Sequence, residues 1–158
     1  LLPVMHVAMI AYMQSDADAP IVVVDTNVLV AGLRGVGAGN KLLLACLDGR
    51  FVPVIGATLL AEYEEVVRRE SVFRGGRLTL REREEFLDIF LSVCKWTRIY
   101  FAWRPNLRDE GDNHLIELAV ASSARFLVTQ NLRDFRDMQL KFPYLEIVTA
   151  AQMSKRHP

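Results

Sequence analysis

Short apolar runs separated by stretches of helical periodicity constrain this chain more than any other feature. Ile21 to Val24 is β-branched and uninterrupted, the pattern of a strand covered on both faces in a parallel sheet. The spacing then predicts a helix over Asn40 to Leu47, a strand at Phe51 to Ile55 and a long helix from Thr58 to about Glu70. Gly75 and Gly76 interrupt the pattern. A second long helix follows from Thr79 to about Val93, with Thr79 and Glu82 spaced as a capping box. Arg98 to Phe101 reads as strand, Asn113 to Ser123 as helix, Phe126 to Thr129 as strand, and Leu145 to Val148 as a last short strand. Strands alternating with helices imply an α/β fold, a three-layer α/β/α sandwich around a central parallel sheet of four or five strands.

A chain of 158 residues is long enough for one domain that buries roughly 70% of its unfolded surface. No repeat, linker or low-complexity tract divides it, so residues 20–158 read as one domain and 1–19 as an N-terminal tail. Leu1 to Tyr12 is apolar but too short to span a bilayer. It lacks a preceding basic region and gives way to Ser15, Asp16 and Asp18, so no membrane association is expected. Hydrophobic residues make up 51% of the chain, which suggests either a core-rich fold or an apolar face that continues the core into a partner, as in a homodimer. Lys plus Arg and Asp plus Glu stand at 19 each. No global field therefore steers the chain toward nucleic acid, and any polyanion must be caught by local groups. Cys46 and Cys94 lack CxxC spacing and histidine neighbours; they read as small core residues, in keeping with the reducing cytoplasm.

Sheets of this kind carry their chemistry beyond the carboxyl ends of the strands. Asp25 directly follows the first strand, with Thr26 and Asn27 turning the chain away. An ordinary Asx-turn cap would explain it equally well. At 100° per residue Glu62 lies about 40° from Val66, at the border of the apolar arc formed by Leu59, Leu60, Tyr63, Val66 and Val67. A border salt bridge is the plain alternative. Asp112 directly precedes a helix, where Asp is a standard N-cap, although Asp109 and Glu110 add more acid than a cap requires. Thr129, Asn131 and Asp134 leave the strand at Phe126 to Thr129 by its carboxyl end.

Taken together these segments resemble the PIN-domain family over about residues 21–150. The resemblance lies in VVVDTNVLV at 22–30, LLAEYEEVV at 59–67, DEGDNHLIELA at 109–119 and LVTQNLRDF at 127–135. Within the family the chain is most similar to the VapC-like group of bacterial and archaeal proteins, the toxin components of toxin–antitoxin pairs. The resemblance implies a metal-dependent endoribonuclease with Asp25, Glu62, Asp112 and Asp134 as catalytic, metal-holding acids. It implies supporting roles for Asn27, Thr129 and Asn131, an RNA substrate, dimers, and an antitoxin protein as partner. Two positions depart from the family's pattern. Asn131 stands where many relatives have an acid, which passes that role to Asp134, and His114 stands where Lys is common. A lone His at this place reads first as a surface helix residue and second as a contact to the phosphate or leaving group.

Clustered carboxylates repel one another unless a cation neutralises them. Oxygen-only donors suit Mg²⁺ or Mn²⁺, one or two ions, which activate water for in-line attack on a phosphodiester. Arg34 and Lys41, and Arg133 with Arg136, are the candidate grips on substrate phosphate. Two other readings remain at this stage. One is a PIN scaffold without catalysis that binds RNA or protein. The other is a haloacid-dehalogenase-like phosphatase, although Asn27 replaces the second acid that its nucleophile motif would carry.

Overall fold

Val22, Val23 and Val24 are at most 1% exposed, as expected of a strand with helices on both faces. The computed structural model describes residues 19–35, 37–99, 110–136, 138 and 141–158. The expected tail, apart from Ala19, and Asp109 lie outside them. Strand β1 (Ile21–Val24) leads into helices α1 (Thr26–Leu33) and α2 (Ala38–Leu47), then strand β2 (Val52–Ile55). Helices α3 (Ala57–Arg68) and α4 (Leu80–Val93) follow, separated by a 3₁₀ turn at Glu70–Phe73, and lead to strand β3 (Lys95–Trp96). A second 3₁₀ turn (Glu110–Asp112) opens α5 (Asn113–Ser122). Strand β4 (Phe126–Val128), α6 (Leu132–Arg136), strand β5 (Glu146–Val148) and α7 (Ala150–Arg156) complete the order.

The sheet has five strands in the order β3-β2-β1-β4-β5, and every pairing is parallel. From β1 the chain steps outward to β2 and β3, then returns to the other side of β1 for β4 and β5. Connections therefore leave the carboxyl ends of β1 and β4 in opposite directions and open a crevice between them. The register sets Val24 beside Val128, and the ladder runs one step further, with Asp25 N donating to Val128 O at 2.9 Å. Among the described residues no single helix is long and apolar enough to cross a membrane.

Several elements differ from the sequence expectation. The third strand is Lys95–Trp96 instead of Arg98 to Phe101, of which Arg98 and Ile99 carry no regular structure and Phe101 lies outside the described residues. Both strand residues are exposed, so this edge strand lacks the apolar run that marks a strand covered on both faces. Thr26 and Asn27, expected to turn the chain away, instead open helix α1. Its Thr26, Val28, Val30 and Gly32 are poor helix formers, and packing supplies what propensity lacks. Helices α6 and α7, of five and seven residues, are too short for helical periodicity to mark them in the sequence. The capping box of α4 forms as expected, with Glu82 N on Thr79 Oγ1 at 3.2 Å and Thr79 N on Glu82 Oε2 at 2.7 Å.

Gly32 fixes how closely α1 and α2 meet. A Cβ there would lie 2.3 Å from Leu43 Cδ1 and 3.1 Å from Gly39 O. Gly32→Ala should therefore cost about 1–3 kcal/mol in urea unfolding, the range for overpacking a filled core. An unchanged midpoint would show that the two helices can part without loss. Both thiols are free. Burial raises the Cys46 thiol to about 12, so it packs as an apolar group and offers no thiolate at neutral pH.

Candidate functional site

Asp25 sits at the N-cap position of α1, yet its side chain makes no capping bond. The carboxylate points to the crevice edge instead. There Oδ2 accepts from Thr129 Oγ1 at 2.6 Å and from Asn27 Nδ2 at 3.1 Å. Thr129 follows β4 and is fully buried, so the shared edge of the two central strands brings these residues together across 104 positions of sequence. Asn27 ties the two loops further, because its Oδ1 accepts from Gln130 N at 3.2 Å. Thr129 Oγ1 also accepts from Asn131 N at 3.1 Å. Beneath the crevice the buried phenol of Tyr63 donates to Val24 O, fixing the strand end just before Asp25. Burial holds that phenol protonated, with its pKa well above the ordinary value.

Glu62 reaches the same place from α3, where its position at the border of the apolar arc leaves it half-buried. Its Oε2 accepts from Thr26 Oγ1 at 2.9 Å, and its Oε1 lies 2.9 Å from His114 Nε2. His114 stands in the first turn of α5 and is 6% exposed, which corrects its reading as a surface residue. The contact is oblique to the ring N–H and does not form an aligned hydrogen bond. Neither Thr26 nor His114 had a sequence signal for meeting Glu62, since three separate helices must converge first.

Burial, above all, raises the Asp25 carboxyl above its ordinary pKa. The Thr129 hydroxyl and the Thr26 N–H lower it, Glu62 raises it and His114 lowers it. Asp25 and Glu62 thus form an electrostatically coupled carboxylate pair, one member desolvated. A cation beside them would reverse the sign of both unfavourable effects. Among the described residues no three His, Cys, Asp or Glu side chains stand close enough to share a metal ion. A pair nevertheless suits Mg²⁺ or Mn²⁺, since Mg²⁺ keeps several waters and binds through one or two carboxylates plus substrate phosphate. The donor chemistry fits such an ion at Asp25 and Glu62.

The remaining candidates are placed by the elements that carry them. Asp112 occupies the N-cap position of α5 without a side-chain capping bond, two residues before His114. Asp134 is half-buried in the first turn of α6, with its backbone N bonded to Asn131 O at 3.1 Å. Its carboxylate has no hydrogen bond or ion pair among the described residues. Arg34 closes α1 at the end away from Asp25. Lys41 lines a groove of about 460 Å³ between α2 and α7, together with Met153 and His157, apart from the carboxylate pair. Arg133 and Arg136 lie exposed on α6 beside Asp134.

Thr129→Val provides a test of the arrangement. Loss of the hydroxyl removes a cause that lowers the Asp25 pKa, so a carboxyl titration followed by NMR should show Asp25 moving further up. Divalent-ion affinity should fall about 10- to 100-fold, the usual cost of losing a group that orients a ligand. An unmoved titration would show that the bond has no hold on Asp25.

A family model described as "PIN domain" matches residues 21–133, more than half of the chain. No curated protein matches. Among solved structures, one of VapBC2 from Rickettsia felis, bound to a DNA fragment from its promoter, is similar at 22% identity and a TM-score of 0.49. That match covers 80% of this chain and 98% of the other. On the family match, and with β1, α3, α5 and β4 carrying the segments it spans, the chain belongs to the PIN-domain family.

Proposed function

We propose that this protein is a metal-dependent endoribonuclease, the toxin of a toxin–antitoxin pair, which hydrolyses RNA phosphodiesters at an Mg²⁺ or Mn²⁺ site. The observation that carries the reading is the coupled pair of Asp25 and Glu62 at the reversal point of the sheet. A buried carboxylate that burial and a neighbouring acid both disfavour is costly for a fold to keep, and such groups cluster at functional sites. Membership of the PIN-domain family supports a nuclease. The RNA substrate, antitoxin partner and homodimer come from the similarity of the motifs to the VapC-like group.

In this reading Asp25 and Glu62 would hold the ion, and Asp112 and Asp134 are the further acids that the similarity of the motifs assigns to the site. When bound, the ion supplies charge neutralisation for the phosphate and activates water for in-line attack. Thr129 and Asn27 keep Asp25 turned toward the crevice, and Asn131 supports the same edge. Arg34, Lys41 and Arg133 are the candidate phosphate grips. Of the three, Arg133 belongs to the loop and helix that leave β4, while the other two lie on α1 and α2.

Asn27 gives its amide N–H to Asp25 and has no acidic proton to transfer. This argues against the phosphatase reading, in which a second acid would serve the nucleophile. The deciding experiment is cleavage of a structured RNA with Mn²⁺, with Mg²⁺ and after EDTA, run beside release of phosphate from p-nitrophenyl phosphate. The expected result is RNA cleavage that needs the ion and no phosphate release. Cleavage undiminished by EDTA overturns the metal mechanism, and an inert protein that still binds RNA favours a scaffold without catalysis.

A further inference from the structure

The His114 imidazole is a buried polar group that the reaction outlined above leaves unused. Its Nε2 is buried and has no aligned hydrogen-bond partner. It faces Glu62, with Nε2 2.9 Å from Oε1, while the other oxygen of Glu62 takes the Thr26 hydroxyl at 2.9 Å. The first turn of α1 thus donates to one oxygen of a carboxylate carried by α3, and the first turn of α5 sets an imidazole nitrogen beside the other.

Each carboxylate oxygen has two lone-pair directions. Aligned donors on both oxygens would fix the plane of the group; here the Thr26 hydroxyl donates to Oε2, while the imidazole stands at contact distance from Oε1 without an aligned bond. The oblique approach of the imidazole is the state to expect before the ion is present, because contacts in unliganded sites are often poorly aligned and tighten on loading.

We propose that His114 is a positioning residue for Glu62, presenting that carboxylate to the divalent ion from inside the fold without touching RNA. The inference rests on the metal-dependent reading given above. It applies to this chain's own residue at a position where the similar motifs carry Lys.

The test is Mn²⁺ binding by isothermal titration, read without any cleavage assay, on wild type and on His114→Ala, His114→Gln, Glu62→Gln and the double variant His114→Ala with Glu62→Gln. His114→Ala should weaken Mn²⁺ binding about 10- to 100-fold, the usual cost of losing a group behind a metal ligand. His114→Gln, which keeps an N–H donor of similar reach, should recover most of that loss. With Glu62 already changed to Gln, removing His114 should cost little more, whereas a general packing role would add its full effect on either background. Should His114→Ala unfold, the partly restored His114→Gln variant and its own double variant with Glu62→Gln carry the same comparison. Wild-type affinity that depends on Asp25 and Glu62 but is matched by both His114 variants overturns the positioning role alone. Affinity indifferent to Asp25→Asn and Glu62→Gln overturns the metal reading, and the positioning role with it.

Discussion

Asp25→Asn is expected to lower metal-dependent RNA cleavage by about 10²–10³-fold, the scale for removing one preorganised electrostatic group, while making the metal-free protein more stable. The two effects have one cause. Burial and Glu62 raise the Asp25 carboxyl above its ordinary pKa, so the folded state holds that proton more tightly than the unfolded state does. The stability contributed by protonated Asp25 is fully present below the ordinary Asp pKa and is lost as pH rises through the raised folded value. At neutral pH wild type has lost it, and the neutral Asn variant has no such loss to suffer. The melting temperature of Asp25→Asn should therefore exceed that of wild type at pH 7 to 8 in EDTA. The gap should close as pH falls toward the ordinary carboxylate range, and also when Mn²⁺ is added, since the ion stabilises wild type selectively. A variant less stable than wild type at neutral pH without metal would show that Asp25 is held for structure. Undiminished cleavage would remove it from the site.

The largest expected effect on folding lies elsewhere, at Arg83. This side chain is 1% exposed, and its guanidinium donates to Val67 O at 2.8 Å, Leu78 O at 3.0 Å and Glu70 Oε1 at 2.5 Å. It also lies 4.5 Å from the centre of the Phe73 ring. Val67 is in the last turn of α3, where carbonyls have no partner within the helix. Arg83 supplies that donor and a positive charge at the negative end of the helix dipole. The ion pair contributes less, because the Glu70 side chain is 70% exposed and water screens it. Most of the cost of Arg83→Met thus comes from two carbonyls left dry, about 2–4 kcal/mol in urea unfolding. Arg83→Lys should recover only part of it, since an ammonium cannot reach three acceptors in a plane as the guanidinium does. A loss below about 1 kcal/mol would show that water replaces the guanidinium without strain. Divalent-ion affinity should survive in folded Arg83→Met, because none of its contacts touches Asp25 or Glu62.

Much of the arrangement could be read directly from residue order. The β-branched run before Asp25 announced a central strand, and an acid at its tip had to fall at the carboxyl edge of a parallel sheet. The periodicity of α3 set Glu62 at the rim of its apolar face, where the structure leaves it half-buried. The pairing of Thr79 with Glu82 gave the start of α4 by local hydrogen bonding alone. These features depend on periods of two and 3.6 residues or on partners three positions apart, so the chain carries them without knowing its fold.

What the chain order could not supply depends on contacts between distant segments. Helix α1 forms against its own weak propensity because Gly32 lets α2 pack closely on it, and it is this helix that aims Thr26 at Glu62. The third strand settled on Lys95–Trp96 because pairing with β2, not apolarity, defines an edge strand. Arg83 gave no sign of burial, as its three acceptors come from the end of α3, the Leu78 loop and the Glu70 turn. His114 read as a surface residue because helical phase within α5 does not reveal that α3 lies across it. Sequence determined which acids stand at the ends of which elements, since local hydrogen bonding and periodicity act over a few residues. Only the tertiary structure decided which donors hold those acids, because a hydrogen bond spanning 36 or 104 positions exists only after the sheet order has brought its two ends together.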